Sequence, residues 1–208
     1  MRDLLAEISE LRRSEVAYLI DNRMSEFREK GEDPSREIFK ELCFCILCAN
    51  YNAERGMMIQ EEIGEGFVNL QKSKLAKKLR QIGYRYPETR ARYIVEARVY
   101  KDSLREVLRS FKSEIELREW LVRNVTGIGF KESSHFMRNI GYSNVSIIDF
   151  HILDILERYD LIKRPKTLTK ARYLEIENVL RGVADAAGLS LGELDLYLWY
   201  METGKVLK

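Results

Sequence analysis

The sequence predicts an all-α protein, and three observations carry that reading. Apolar residues recur at three- and four-residue spacing along most of the chain, no segment alternates apolar with polar β-branched residues, and Gly or Pro punctuates the periodic stretches. With 208 residues, 45% hydrophobic and 33% charged, the chain suits a single compact helical unit over 1–208.

Taken in order, residues 3–30 read as one amphipathic helix, with Leu4, Leu5, Ile8, Leu11, Val16, Leu19, Ile20 and Phe27 on one face, ended by Gly31 and Pro34. Residues 39–49 are nearly all apolar and too long for a strand, so they read as a buried helix at the centre of the core. A polar turn with Asn50, Tyr51 and Asn52 follows, then short helices near 57–63 and 72–82. The turn Gly83, Tyr84, Arg85, Tyr86, Pro87 precedes a helix that carries Tyr93, Ile94 and Ala97 inward, and another follows at 104–111. Residues 114–123 are helical in pattern until Gly127, Ile128 and Gly129 break them, because glycine reaches backbone angles closed to other residues. Lys131 opens the next helix, and a short apolar approach from Val145 leads to Asp149, a favoured N-cap for a helix over 150–159. Helices over 170–188 and from Ser190 onward complete the chain.

Bulk properties narrow the function classes. No apolar run reaches the ~18 residues that would span a bilayer, and the first residues mix acid with base, so a cytoplasmic protein is expected. Net charge is only +2, so any field for a polyanion must be local. Lys72, Lys74, Lys77, Lys78, Arg80, Arg85, Arg90, Arg92 and Arg98 form such an asymmetry, either a nucleic-acid face or a solvated helix surface. Cys43, Cys45 and Cys48 share one apolar run and cannot complete a four-thiolate site, so they read as core residues in a reducing compartment, with no metal or cofactor.

The glycine hairpin is the informative motif. Backbone N–H groups at a helix start form a seat for phosphate, here a nucleic-acid backbone. Tyr84 and Tyr86 around Arg85 suit base stacking and phosphate contact, or packing.

Gly127, Ile128 and Gly129, then Lys131, with Asp149 and His151 eighteen and twenty residues further on, resemble the signature of the helix-hairpin-helix DNA glycosylase/lyases. The resemblance implies two helical lobes with the active site between them and the hairpin element at about 114–140. It implies Lys131 as nucleophile, Asp149 as its assistant, a phosphate contact from His151, and a loop in which Asn50 or Asn52 fills the gap left by an extruded base. As an alternative, either Asn is a helix cap. The absence of a cysteine cluster, the compact length, the helix around Phe39 to Asn50 and the terminal lysine are similar to the type-2 8-oxoguanine DNA glycosylase/lyases of archaea and some thermophilic bacteria. Their activity would be excision of 8-oxoguanine from double-stranded DNA, then β-elimination through a lysine Schiff base, without cofactor or obligate protein partner. In that likeness Lys208 tells 8-oxoguanine from guanine; from the residues themselves Trp199, with Tyr86, is expected to stack on the flipped base, and Gly127, Gly129 and Arg85 are expected to contact DNA together with His151 and Asn52. The chain lacks the N-terminal β domain of the eukaryotic enzymes, and its last cysteine is Cys48, so no C-terminal iron–sulfur cluster is implied. Alternatives are a pyrimidine-damage glycosylase/lyase and a non-catalytic hairpin DNA-binding module, which would need neither Lys131 nor Asp149.

Overall fold

A computed structural model describes residues 1–49 and 51–208; Asn50, one of the two gap-filling candidates, lies outside the described residues. Among the described residues every regular element is a helix. The first stretch is a pair and not the single helix expected over 3–30. α1 (Arg2–Leu11) and α2 (Glu15–Glu32) part at Ser14, whose extended backbone ends one helix and whose hydroxyl accepts from the Val16 N–H at 3.2 Å. Apolar spacing runs through this break, so periodicity merges the two, and the N-cap preference of serine is the signal that separates them. The break sends the two faces to different partners. Leu4 and Ile8 join a cluster with Leu156, Leu180, Leu194 and Leu198, whereas Val16, Ile20, Met24 and Phe27 pack on another side of the last helix, against Leu196 and Tyr197.

α3 (Ser35–Cys48) is the axis of the larger lobe. From Phe39 onward only Lys40 reaches solvent appreciably, as suits a helix surrounded on all sides. Its cysteines are free thiols; burial pushes each one up, Cys48 to about 12, so they remain protonated and behave as small apolar side chains. Around it run α4 (Ala53–Ile63), α5 (Gly66–Asn69), α6 (Lys72–Gln81), α7 (Pro87–Ala97), a 3-10 turn at Arg98–Tyr100, α8 (Leu104–Arg109), α9 (Glu114–Asn124) and α10 (Phe130–Asn139). α4 starts earlier than its apolar pattern because Asn52 caps it, Oδ1 accepting from the Arg55 N–H at 3.0 Å.

The smaller lobe gathers α1 with α11 (Phe150–Arg158), α12 (Lys170–Ala187) and α13 (Leu191–Thr203) around Leu156, Leu180, Val183, Leu194 and Leu198. α10 belongs to one lobe and α11 to the other, so the connection between them crosses the seam and carries Asp149 with it. Among the described residues no helix is long and apolar enough to cross a membrane.

Candidate active site

The hairpin between α9 and α10 owes its shape to one of its two glycines. Gly127 has φ +91°, and a Cβ there would lie 2.2 Å from the Tyr93 ring, so both conformation and space exclude a side chain. Gly129 is different: its φ of −106° is ordinary, and an added Cβ would meet only Glu132 Oε2 at 3.5 Å. The expectation that both glycines serve special backbone angles therefore holds for Gly127 alone. Ile128 is buried between them, and the Glu132 carboxylate accepts from the Gly129 N–H at 3.2 Å, which fixes the start of α10.

Lys131 stands in the first turn of α10 with its side chain 30% exposed and Nζ 3.9 Å from Glu132, too far for a tight ion pair. Asp149 is the N-cap of α11, Oδ1 accepting from the Ile152 N–H at 3.0 Å. Both line one pocket at the seam of the lobes. The cavity is about 110 Å³, well beyond the ~10–15 Å³ that one water needs, so it has room for a larger group.

The opposite wall comes from α13 and the chain end: Asp195, Trp199, Leu207 and Lys208. His151 sits between two aromatic rings, its centroid 3.9 Å from Phe150 and 4.8 Å from Trp199, the latter edge-on. Trp199 and Lys208 thus line the same pocket as Lys131, Asp149 and His151.

Tyr86 does not join them. It is 43% exposed at the N-cap of α7, away from the pocket wall, with the Arg85 guanidinium 4.9 Å from its ring. The tyrosine that does line the pocket is Tyr51, whose ring lies 4.6 Å from that of Tyr84, itself buried and bonded through its hydroxyl to the Leu47 carbonyl at 2.6 Å. Of the two tyrosines in the 84–86 turn, the first goes inward and the second outward. Asn52 is an exposed cap beside this loop.

The basic stretch also divides. Arg90 is buried and donates to the Ala49 carbonyl at 2.9 Å, while Arg98 donates to the carbonyls of Phe67 and Gly66 at 2.8 and 3.2 Å. These two hold loops together. Lys72, Lys74, Lys77, Arg80, Arg85 and Arg92 remain exposed.

His135, which no motif marks, lines the pocket from α10 one turn beyond Lys131. Burial holds its imidazole well below the usual histidine range, with Arg138 and Lys131 adding repulsion; the Lys208 main chain opposes as a hydrogen-bond acceptor. It is therefore a neutral donor at neutral pH. Arg138 forms a buried ion pair with Asp195, also in the wall. Only the i, i+4 spacing from Lys131 could have flagged His135, and nothing local flags Tyr51.

A family model described as 8-oxoguanine DNA glycosylase matches residues 20–189. The chain belongs to that family. Among members of the 8-oxoguanine DNA glycosylase family, the 8-oxoguanine DNA glycosylase/AP lyase of Korarchaeum cryptofilum (strain OPF8) is 52% identical over 99% of this chain and 98% of its own. The crystal structure of the Methanocaldococcus jannaschii 8-oxoguanine glycosylase/lyase with a 15mer DNA containing 8-oxoguanine matches with a TM-score of 0.95 at 50% identity, covering 99% of each chain. The 8-oxoguanine DNA glycosylase of Thermotoga maritima matches with a TM-score of 0.92 at 45% identity, covering 100% of this chain and 99% of the other. The all-helical glycosylase fold, with its pocket between two lobes, is thus shared along the whole chain.

Proposed function

We propose that this protein removes 8-oxoguanine from double-stranded DNA and then cleaves the abasic site, with Lys131 as nucleophile and Asp149 as its assistant. The observation that carries the reading is the convergence of Lys131 from α10 and Asp149 from the cap of α11 on one pocket, beside a glycine hairpin. The family and the relatives named above act as its context. Residues 1–208 work as one unit, because the pocket draws its walls from both lobes and from the chain end.

The chemistry follows from the groups present. The target sugar is reached only after its nucleotide is flipped out of the duplex, at a cost of a few kcal/mol. The neutral Lys131 amine attacks C1′, and the electron pair of the glycosidic bond leaves with the base, which takes up a proton. The amine loses its own proton and the sugar ring opens to a Schiff base. Removal of a C2′ proton then expels the 3′ phosphate, and water releases the lysine. Positive charge grows on the sugar during the first step, and the Asp149 carboxylate is the group in the wall that stabilises it. Its second task is to carry protons between these steps.

Recognition rests on the chain end. 8-Oxoguanine carries a hydrogen on N7 where guanine has a lone pair. The terminal carboxylate of Lys208 accepts from the first and repels the second. Trp199 provides a stacking face, and the exposed Arg85 and Tyr86, with Asn52, His151 and the hairpin, contact the DNA outside the pocket. A cytoplasmic location goes with the reading, as three buried free thiols suit reducing surroundings.

Borohydride trapping tests it. Wild-type protein should be trapped on duplexes with 8-oxoguanine in preference to oxidised pyrimidines, and Lys131→Gln should give no trapped complex while still binding DNA, since affinity comes from many phosphate contacts. Trapping of Lys131→Gln at wild-type levels would remove Lys131 as the nucleophile.

A further inference from the structure

Glu41 is out of place. It lies in the otherwise apolar heart of α3, 3% exposed, where an unpaired carboxylate costs several kcal/mol. Its oxygens are fully engaged: Oε1 accepts from Asn139 Nδ2 at 2.7 Å, and Oε2 from Gln60 Nε2 at 3.0 Å and from Lys208 Nζ at 2.8 Å. The charge that balances it thus comes from the last residue of the chain. The same ammonium donates to Gln60 Oε1 at 2.5 Å and lies 4.4 Å from the centroid of the Phe44 ring. A carboxylate, an amide oxygen and an aromatic face together make a receptor for one ammonium, supplied by α3 and α4 and braced by α10.

Chain ends ordinarily fray, and a lysine side chain loses up to ~2 kcal/mol of rotamer freedom when fixed. Here both costs are met at a residue in the pocket wall. With its ammonium engaged by Glu41 and Gln60, Lys208 still lines the pocket, in the same wall space as the neutral His135 imidazole. We infer that Glu41, with Gln60, is a positioning residue for lesion recognition: by gripping the Lys208 ammonium it holds the terminal carboxylate in register with the flipped base. The inference rests on the role of that carboxylate given under the proposed function. Glu41 does not line the pocket, and among the described residues its carboxylate bonds only to Asn139, Gln60 and Lys208, so its effect is confined to base selection.

The experiment compares Glu41→Gln, Lys208→Gln, the double variant, and deletion of Lys208. Both Gln substitutions keep the terminal carboxylate, and the double removes both charges so that no buried charge is left without a partner. Each is assayed for single-turnover excision of 8-oxoguanine, for excision of guanine, for lyase cleavage of a preformed abasic site, and for thermal melting. Either single substitution is expected to lower 8-oxoguanine excision by roughly 10- to 100-fold, the scale on which a ~1 Å misplacement acts. Selectivity over guanine should shrink with it, lyase cleavage by Glu41→Gln should stay within about twofold, and the double should lose no more than either single, as members of one contact do. If deletion of Lys208 abolishes selectivity while the three substituted proteins keep it, the anchor is refuted and the carboxylate role stands. If deletion itself leaves selectivity intact, the carboxylate role fails and the inference with it. Equal loss of excision and lyase cleavage in a double variant that melts like wild type would also overturn it, because the grip would then be serving the whole site.

Discussion

Replacing Arg118 by Met should unsettle the protein more than any single change outside the reacting groups. Arg118 is fully buried in α9 and pairs bidentately with Glu177 of α12, Nη2 to Oε1 at 2.9 Å, while Nη1 also reaches Ser134 Oγ at 3.3 Å. Its guanidinium lies 5.0 Å from the ring of Phe130, the residue before Lys131. Glu177 in turn accepts from the Ser146 N–H at 3.0 Å, and Tyr173 holds the same segment by donating to the Ser146 carbonyl at 2.6 Å and accepting from Ile148 N–H at 3.2 Å. One ion pair therefore braces both the start of α10 and the approach to Asp149. Met fills much of the volume but leaves the buried Glu177 without its close ion-pair partner, with only the Ser146 N–H and a loose contact to Arg181 at 3.9 Å, at a cost of ~3–5 kcal/mol. For a chain of this size each kcal/mol moves the melting midpoint by ~2–4 °C, so a fall of roughly 6–20 °C is expected. Converting Glu177 to Met as well removes the orphaned charge, and the double variant should recover at least about 2 kcal/mol relative to additive losses. Urea unfolding gives these free energies, and single-turnover excision below the midpoint should also slow. A single variant within about 1 kcal/mol of wild type, or a strictly additive pair, would show that the buried pair is not the brace described.

Other substitutions separate roles that share a residue. Asp149→Asn keeps the cap on Ile152, because Asn serves as well as Asp at an N-cap, so stability should stay within about 0.5 kcal/mol while excision slows at least ~100-fold; a near-normal single-turnover rate would reduce Asp149 to a cap. Gly127→Ala meets Tyr93 at positive φ and should cost ~1–3 kcal/mol of stability along with DNA affinity. Gly129→Ala meets nothing closer than 3.5 Å, so it should fold normally and lose affinity for damaged and undamaged duplexes alike only by blocking phosphate approach; equal destabilisation by both glycine variants would contradict this division. Asp195 is pushed up to about 6 by burial, with Arg138 opposing and Asp149 adding to the shift. Its folded pKa exceeds the unfolded ~3.9, so the protonated form is favoured by folding, and this group's contribution is full below about pH 4 and lost as pH rises to about 6. Unfolding free energies across that window should therefore fall in wild type relative to Asp195→Asn as pH rises, and parallel profiles would refute it.

Local chemistry was legible in the sequence. Apolar spacing outlined most of the helices but ran through the break at Ser14, Gly127 marked the hairpin, and Lys131 with Asp149 stood at helix starts where a motif could be recognised. These features depend on a residue and its near neighbours, which is why they survive in one dimension. Which buried faces meet is a different matter, since periodicity says that a side chain is covered and not by what. Tyr84 and Tyr86 were equivalent on paper until packing against Leu47 turned the first inward. Tyr51 and His135 carried no local mark and became pocket walls only when the lobes closed. A glutamate in an apolar helix and a lysine at the chain end, 167 positions apart, were separate oddities in the sequence. Tertiary structure made them one contact, because a carboxylate buried in α3 is tolerated only where the fold brings it an opposite charge.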